Sequence, residues 1–295
     1  MNNNKIDVYT LIKPEIYKLK KVGNDTASLD CRLLLSKSLD RNEILYNHEN
    51  IVISENEIKK FKNLVEERLN GKPVSRILNK RNFWKNEFQL NDSTLDPRPD
   101  SETLIETVLK HYPDKFKFLK ILDLGSGSGC LGLSLLDEYP YSESSFFDKS
   151  KKSLEIVKIN AQNFGFQERS KYINSNWKAK DWDKKLIFNE NGIKFDIVIS
   201  NPPYIPTHDI KKLNKEVKNY DPFIALNGGK DGLDAYRLIL PKLRNIIKKD
   251  GRIFFEIGKG QENFISSKAK EHNLLPIEYK KDLSGVCRVL VLNVK

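Results

Sequence analysis

The chain has 295 residues, of which 39% are hydrophobic and 31% charged, and its net charge is +11. This length suits about two globular domains, and the lack of any run of about 18 apolar residues argues against a membrane-spanning helix. Three cysteines and four histidines lie scattered along the sequence, which argues against a disulfide framework and a zinc site and fits a reducing compartment.

The segment 1–7 contains no apolar core of a signal peptide, so we expect a cytoplasmic protein. The positive charge is compatible with a nucleic-acid partner, but the lysine pairs are spread along the chain instead of being clustered. A biased base composition produces the same excess of lysine. The charge alone therefore selects no partner.

The first predicted domain is helical and covers residues 1–72. Leu29, Leu33 and Leu34 recur at helical spacing, and Ser54-Glu-Asn-Glu57 is a capping-box pattern that predicts the start of another helix. This domain contains no constellation of catalytic residue types. It is expected to be either a scaffold or a docking module for a macromolecular substrate.

Residues 73–94 are predicted to form a connecting β-hairpin, because Val74–Leu78 and Phe83–Leu90 are strand-like and polar residues separate them. Two prolines stiffen the segment that follows. Asp100 or Ser101 is then expected to cap the next helix.

Residues 95–295 form the second predicted domain, in which strands and helices alternate. The predicted strands are Leu119–Leu124, Ser145–Asp148, Tyr172–Ser175, Phe195–Ser200, Arg252–Ile257, Pro276–Tyr279 and Arg288–Val294. Predicted helices between them include Ser153–Phe164 and Asp234–Ile247. This alternation predicts an α/β fold with a mostly parallel sheet covered on both faces, ending in a hairpin.

A glycine-rich turn directly follows the first of these strands. It consists of Gly125, Ser126, Gly127, Ser128 and Gly129. Glycines allow positive φ and a close approach of the backbone to a ligand, and such turns lie at the ligand-binding edge of α/β sheets. Asp148 ends the next predicted strand, where a carboxylate can accept both ribose hydroxyls of a nucleoside cofactor.

The segment Asn201-Pro202-Pro203-Tyr204 follows the predicted strand Phe195–Ser200. The two prolines fix φ and keep the residues before them extended. The Asn201 side-chain carbonyl and the Pro202 backbone carbonyl can each accept one N–H of a planar –NH2 group, and the Tyr204 ring can cover its face. The motif resembles that of amino-group methyltransferases, which act on glutamine side chains or on adenine and guanine.

Two cofactor classes fit the glycine-rich turn. Gly127, Gly129 and Gly132 match the spacing of a dinucleotide-binding motif. However, the acidic Asp123 stands just ahead of the glycines, as in methyltransferases, and the amine-binding segment ends the fourth predicted strand. We therefore favour S-adenosylmethionine over NAD.

Three further residues are candidates near the cofactor. Asn176 and Trp177 follow the third predicted strand and can flank an adenine, although ordinary packing explains Trp177 equally well. Asp123 can contact the methionine end of the cofactor or cap the glycine-rich turn. These alternatives stay open at the level of the sequence.

From about Asp25 to Val294 the chain resembles the protein-(glutamine) methyltransferases that modify peptide chain release factors. The matching segments occur in the order found in that family. They are Gly71–Val74, Arg81–Trp84, Pro97–Glu102, Asp123–Gly129, Asn160-Ala161, Asn201–Tyr204, Asp221-Pro222, Leu226–Gly229 and Asp231–Leu233. The Arg-Pro segment together with Asn-Pro-Pro-Tyr points to the glutamine-modifying branch.

The resemblance implies a class I S-adenosylmethionine-dependent methyltransferase with a Rossmann-like seven-stranded sheet, preceded by a helical domain that grips the release factor. It implies S-adenosylmethionine as the cofactor, S-adenosylhomocysteine as the product, and no metal. The family's cofactor contacts carry over to the Gly125–Gly129 turn, Asp148, Trp177 and Asn201.

The resemblance further implies methyl transfer to the glutamine of the Gly-Gly-Gln motif of release factors. The substrate amide would be bound by Asn201, Pro202, Pro203 and Tyr204, with Asn201, Pro202 and Tyr204 as the catalytic residues. We expect a monomer with no membrane partner and no direct nucleic-acid substrate.

This chain departs from the family pattern at three positions. Asn176 stands where the family commonly has Asp, Asp96 replaces an aliphatic residue, and Asp221 stands where Glu is common. The first change puts an acidic contact near the adenine in doubt. None of the three alters the residues expected to bind the amide.

Three other functions remain compatible with these residues. A relative that methylates glutamine in a ribosomal protein would carry the same tetrapeptide, and the first domain would discriminate. An adenine or guanine methyltransferase would suit the positive charge, but the chain lacks a concentrated basic and aromatic patch. A cofactor-binding translation accessory without turnover is disfavoured because the amine-binding segment is complete.

Overall fold

The computed structural model describes residues 5–190, 192 and 194–295. The first four residues of the segment tested for a signal peptide lie outside this range. No helix in the described part of the chain is long and apolar enough to cross a bilayer.

The chain forms two compact units, and each is built from separate stretches of sequence. The first unit combines Met1–Lys80 with Lys215–Tyr220. The second combines Arg81–Asn214 with Asp221–Lys295. The first unit therefore takes one short segment from far along the chain.

The first unit is mainly helical. Its elements up to residue 80 are β1 (Lys5–Asp7), α1 (Val8–Lys21), α2 (Ala27–Ser38), β2 (Asn50–Val52), α3 (Glu55–Leu69) and α4 (Val74–Leu78). The Ser54 side chain accepts the Glu57 N–H, and the Glu57 side chain accepts the Ser54 N–H, so the predicted capping box is confirmed. The helices meet in one apolar core that includes Ile12, Leu34 and Phe61.

An ion-pair cluster ties the segment Lys215–Tyr220 to the first unit. Arg68 of α3 is only 12% exposed. Its Nε donates to Asp30 at 2.8 Å and its Nη1 donates to Glu216 at 2.6 Å. The Arg68 guanidinium thus lies between two carboxylates, and the segment Lys215–Tyr220 supplies one of them, Glu216.

The prediction of a strand at Val74–Leu78 is wrong, since this segment is the short helix α4. Pro73 precedes it with φ of −59°, which suits a helix start, and Asn79 ends it in the left-handed conformation with φ of 55°. The hairpin that follows is shorter than expected and consists of Lys80–Phe83 and Asn86–Gln89.

The second unit contains the α/β sheet. Its elements are β3 (Lys80–Phe83), β4 (Asn86–Gln89), a 3-10 turn (Pro99–Ser101), α5 (Glu102–His111), β5 (Lys120–Leu124), α6 (Cys130–Glu138), β6 (Glu143–Asp148), α7 (Lys151–Asn163), a 3-10 turn (Gln167–Arg169), β7 (Ser170–Asn174), α8 (Trp182–Asn189), β8 (Phe195–Ser200), α9 (Thr207–Ile210), α11 (Phe223–Leu226), α12 (Asp234–Ile246), β9 (Ile247–Glu256), α13 (Glu262–Glu271), β10 (Leu274–Lys281) and β11 (Cys287–Val294). Strand β3 begins at Lys80, the last residue of the first stretch of the first unit, and the remaining helix, α10 (Lys215–Tyr220), belongs to the first unit as well.

The seven-stranded sheet has the order β10-β11-β9-β8-β5-β6-β7. Strands β9, β8, β5, β6 and β7 run parallel, while β11 is antiparallel to both β9 and β10. The seven predicted strands and the terminal hairpin are confirmed, and the chain has a class I methyltransferase fold. Apolar clusters cover both faces of the sheet, as expected for parallel strands.

The prediction that a side chain at Asp100 or Ser101 caps α5 is wrong. Ser101 does occupy the position before α5, but its side chain makes no capping hydrogen bond. A 3-10 turn brings the chain into the helix instead, and the Ser101 hydroxyl donates to Glu256 at 2.5 Å. The Ser101 hydroxyl therefore binds Glu256, which is distant in sequence, and not a backbone N–H of α5.

Candidate active site

A cavity of about 390 Å³ lies where the carboxyl ends of β5, β6 and β8 meet. Parallel strands place the residues that follow them at one edge of the sheet, and this volume is within the usual range for small-molecule sites. Among the predicted site residues, the cavity is lined by Gly125, Ser126, Gly127, Ser128, Asp148, Trp177, Asn201 and Pro203. The other predicted site residues, Asp123, Gly129, Pro202 and Tyr204, do not line it.

The glycine-rich turn is held against the neighbouring strand. Gly125 and Ser126 both donate their N–H to the Phe147 carbonyl, at 2.8 and 3.1 Å. Gly125 has φ of +84°, and a Cβ at this position would lie 2.9 Å from the Trp177 ring. Trp177 therefore packs directly on the turn and lines the cavity as well, so the packing alternative is observed, and a place beside an adenine stays a prediction.

Asp148 joins the end of β6 to the glycine-rich turn. Its two carboxylate oxygens accept the N–H of Gly127 at 3.0 Å and of Ser150 at 2.8 Å. A carboxylate has about four acceptor positions, so two remain for other donors. Burial raises the pKa of Asp148 above its usual value, which means that desolvation outweighs these two hydrogen bonds.

Asp123 lies in β5 and does not line the cavity. It is 1% exposed, and one carboxylate oxygen accepts the Gly132 N–H at 2.9 Å in the first turn of α6. Its other oxygen has no partner among the described residues. Burial raises the pKa of Asp123 to about 7. This hydrogen bond goes to α6 and not to the glycine-rich turn, so both predicted roles of Asp123 stay predictions.

The segment after β8 presents two unpaired acceptors. Ser200 donates its hydroxyl to the Leu124 carbonyl at 2.5 Å, which ties the segment to the end of β5. Asn201 uses its Nδ2 to donate to Ser101 at 3.1 Å. Within the described residues, neither the Asn201 Oδ1 nor the backbone carbonyl of the buried Pro202 receives a hydrogen bond.

Tyr204 is anchored through its hydroxyl. Its Oη donates to Glu256 Oε1 at 3.0 Å, and burial, followed by the charge of Glu256, raises the pKa of Tyr204 well above its usual value. Its backbone carbonyl accepts the Gln261 side-chain N–H at 2.9 Å. Gly232 packs against the same carbonyl, because a Cβ there would lie 2.2 Å from the Tyr204 oxygen.

Sequence reasoning missed Ser101, Glu256 and Gln261, which contact the tetrapeptide from other elements. For Glu256 a signal was present, since an acidic residue ends the apolar strand that lies beside β8. For Ser101 the local pattern suggested a cap and hid the long-range role. For Gln261 nothing in the sequence distinguishes it from an ordinary residue before a helix.

Two of the departures from the family pattern contact each other, although neither side chain lines the cavity. Asp96 donates its N–H to Asp221 at 3.2 Å, and Arg98, which lines the cavity, forms an ion pair with the same carboxylate. The third, Asn176, lines the cavity, and its side-chain oxygen accepts the Lys178 N–H at 2.9 Å.

The cavity wall also contains apolar side chains that the sequence analysis did not single out. Phe223 and Ile224 of α11 line it and remain 58% and 52% exposed. Leu238 of α12 also lines it. In the described part of the chain no group of acidic, histidine or cysteine side chains is arranged to hold a metal ion.

Comparison with known proteins identifies relatives over nearly the whole chain. Residues 95–219 match the family model of the methyltransferase small domain, and residues 16–78 match that of the PrmC N-terminal domain. A release factor glutamine methyltransferase from Caulobacter vibrioides is 35% identical over 280 residues, covering 94% of this chain and 93% of the relative. One from Clostridium acetobutylicum is 35% identical over 274 residues, covering 92% and 93%.

Among solved structures, a release-factor-specific protein-(glutamine-N5) methyltransferase from Alicyclobacillus acidocaldarius is 22% identical, covers 66% of this chain and 92% of its own, and has a TM-score of 0.42. The family assignment rests on the full-length relatives. The chain belongs to the release factor glutamine methyltransferase family.

Proposed function

We propose that this chain transfers the methyl group of S-adenosylmethionine to the side-chain amide nitrogen of the glutamine in the Gly-Gly-Gln motif of peptide chain release factors. The observation that carries the proposal is a pair of unpaired acceptors, Asn201 Oδ1 and the Pro202 carbonyl, beside a cavity bounded by a glycine-rich turn. Two acceptors match the two hydrogens of a primary amide.

The residues around the cavity fit the cofactor. The backbone of the turn Gly125–Gly129 leaves room for a ligand to approach closely. Asp148 retains acceptor positions for ribose hydroxyls, and the Trp177 ring offers an apolar wall for an adenine. In this proposal Asp123 acts indirectly by holding the first turn of α6, which follows the glycine-rich turn. Bound there, S-adenosylmethionine supplies an electrophilic methyl group, and no metal is required.

The tetrapeptide would bind and orient the substrate amide. An amide nitrogen is a weak nucleophile because its lone pair is delocalised into the carbonyl. Hydrogen bonds from both of its hydrogens to Asn201 and Pro202 increase electron density at nitrogen as positive charge develops. Pro203 and Tyr204 would enclose the amide plane. The nitrogen forms a bond to the methyl carbon while the carbon–sulfur bond breaks and its electron pair stays on sulfur, and the nitrogen then loses one proton to solvent.

We propose a separate role for each of three sections of the chain. Residues 1–72 would dock the release factor, residues 73–94 would connect, and residues 95–295 would carry out methyl transfer. The match of residues 16–78 to a family-specific N-terminal domain supports a docking role, since such a domain is not needed for cofactor binding alone. We propose that the protein acts as a monomer.

The first experiment is methyl transfer from labelled S-adenosylmethionine to purified release factor. We expect label on the wild-type factor and none on a variant whose Gly-Gly-Gln glutamine is changed to alanine. Label on both factors would move the target to another residue. Label on neither, with cofactor binding demonstrated, would favour a ribosomal-protein or nucleic-acid substrate instead.

Asp148→Asn is expected to raise the Kd for S-adenosylmethionine about 10- to 100-fold, because a hydrogen bond to a charged group contributes about 1.5–3 kcal/mol. The amide keeps one acceptor oxygen but replaces the other with a donor, which also opposes the Gly127 or Ser150 N–H. Isothermal titration calorimetry measures the change.

Asp196→Asn is the matched control for Asp148→Asn. Asp196 is buried, and its carboxylate accepts the Lys120 N–H at 2.8 Å and pairs with Lys248, but it does not line the cavity. We expect its Kd to stay within about twofold of the wild type. An unchanged Kd in Asp148→Asn would remove this residue from the cofactor site.

A further inference from the structure

Four polar side chains form a continuous hydrogen-bonded chain behind the Asn-Pro-Pro-Tyr segment. Tyr204 Oη donates to Glu256 Oε1 at 3.0 Å, and Ser101 Oγ donates to Glu256 Oε2 at 2.5 Å. Asn201 Nδ2 then donates to Ser101 Oγ at 3.1 Å. A separation of about 2.5–2.7 Å is typical of a hydroxyl that donates to an ionised carboxylate. Glu256 therefore accepts from both sides.

While Glu256 accepts from both sides, the donors and acceptors in this series of hydrogen bonds can be arranged in only one way. A serine hydroxyl has one hydrogen, and Ser101 gives it to Glu256. The Ser101 oxygen can then only accept, so Asn201 must turn its –NH2 toward Ser101. The Asn201 Oδ1 is left free. If Glu256 donated instead, Ser101 could donate onward, and the Asn201 amide would be held in the opposite sense.

We propose that Glu256, acting through Ser101, is a positioning residue that determines which end of the Asn201 amide faces the substrate. The inference rests on the proposed function, because the orientation of the Asn201 amide matters only if the substrate is a primary amide with N–H donors. An oxygen facing the substrate accepts one of its N–H groups. An –NH2 group in the same place would meet two further donors and repel them.

Burial makes this control effective. Glu256 is 2% exposed and Ser101 is 3% exposed, so solvent does not compete for their hydrogen bonds. The main chain at Glu256 is fixed as well, because the Tyr236 hydroxyl donates to the Glu256 carbonyl at 2.6 Å. Hydrogen bonds in such an environment are stronger and more directional than in water.

The principal test is Glu256→Gln, which keeps the shape but adds a donor. The new –NH2 can donate to Ser101, which frees the Ser101 hydrogen to bind the Asn201 oxygen and turn the amide. We expect kcat for release-factor methylation to fall at least about 30-fold, with the KM for S-adenosylmethionine within about threefold of the wild type. A wild-type kcat would overturn the proposal.

Glu190→Gln is a close control. Glu190 is also 2% exposed, and its carboxylate accepts a serine hydroxyl, that of Ser145, at 2.5 Å. It does not line the cavity. We expect thermal stability to change while kcat stays within about twofold. An equal loss of kcat in both variants would mean that neutralising any buried carboxylate suffices, and the proposal would fail.

The pH profile supplies a second readout. Burial raises the pKa of Glu256, and the titratable or charged groups that act on it are Tyr204, Tyr236, Cys130, Asp100 and Arg288. As pH falls through that raised pKa, the carboxylate takes up a proton and becomes a donor, so kcat of the wild type should fall on the acid side. Glu256→Gln should lack this acid limb. The same limb in both proteins would contradict the assignment.

A readout without turnover keeps the inference separate from the proposed function. The Asn201 side-chain –NH2 signals in 15N–1H spectra can be identified by their loss in Asn201→Asp. We expect slow solvent exchange in the wild type and at least about tenfold faster exchange in Ser101→Ala, which also carries the kinetic test if Glu256→Gln does not fold. Unchanged exchange would overturn the inference, whereas lack of methylation by the wild type would overturn the proposed function.

Discussion

Asn201→Ala should lower kcat for release-factor methylation by about two to three orders of magnitude, the range found when one hydrogen-bonding group is removed from a site of developing charge. The side chain supplies one of two unpaired acceptors beside the cavity. Its loss leaves one amide hydrogen unbound and the nitrogen less well aimed. Because the glycine-rich turn and Asp148 remain, we expect the Kd for S-adenosylmethionine to stay within about fivefold.

Asn245→Ala separates this effect from the general cost of deleting a hydrogen-bonded side-chain amide. Asn245 resembles Asn201 in that its Nδ2 donates to a side chain, the Asp183 carboxylate, at 2.7 Å. It is not part of the cavity. Steady-state kinetics should show a wild-type kcat for Asn245→Ala. If Asn201→Ala also retained that kcat, the proposed binding of the substrate amide would be wrong.

Gly232→Ala should impair both activity and stability, because the added methyl group has no room. Its Cβ would lie 2.2 Å from the Tyr204 carbonyl oxygen and 2.6 Å from the Gln261 side-chain nitrogen that binds this carbonyl. The backbone of Tyr204 must therefore shift. We expect kcat to fall at least about 100-fold, and the free energy of unfolding to fall by about 2–4 kcal/mol from overpacking and an unfavourable positive φ.

Gly285→Ala is the control that isolates the clash. Gly285 has φ of +80°, close to the +81° of Gly232, but nothing lies within 4 Å of a Cβ added there. Gly285→Ala should lower the free energy of unfolding by about 1–2 kcal/mol, which is the effect of the positive φ alone, and leave kcat unchanged. Urea unfolding and kinetics on both variants test this. Equal effects would show that positive φ, and not contact with Tyr204, is what requires glycine at 232.

The predictable parts of this protein are those in which the sequence pattern is local. The apolar run Phe195–Ser200 became a strand with the predicted bounds, and the capping box at Ser54 and Glu57 formed as expected. The restricted backbone of the tetrapeptide after β8 could be predicted for the same reason, since proline restricts its own backbone in any sequence context. Such segments carry their structural information within a few residues.

The support of the site could not be predicted, because its partners are distant in sequence. The hydrogen bond between Ser101 and Glu256 spans 155 positions, and that between Asn201 and Ser101 spans 100. Locally, Ser101 matches a helix cap, which is the interpretation that failed. At Val74–Leu78 the pattern was too short to separate a helix from a strand, and Pro73 and Asn79 decided the outcome.

The contact between Arg68 and Glu216 has a practical consequence for recombining relatives of this enzyme. A chimaera that takes its helical unit from another species by exchanging residues 1–80 alone would pair a foreign guanidinium position with the resident acidic segment. Glu216 would then depend on an arginine, and on the residue at position 30, that were selected in a different background. The helical unit is encoded by two separate segments of the gene. A chimaera should therefore exchange Lys215–Tyr220 together with the first 80 residues.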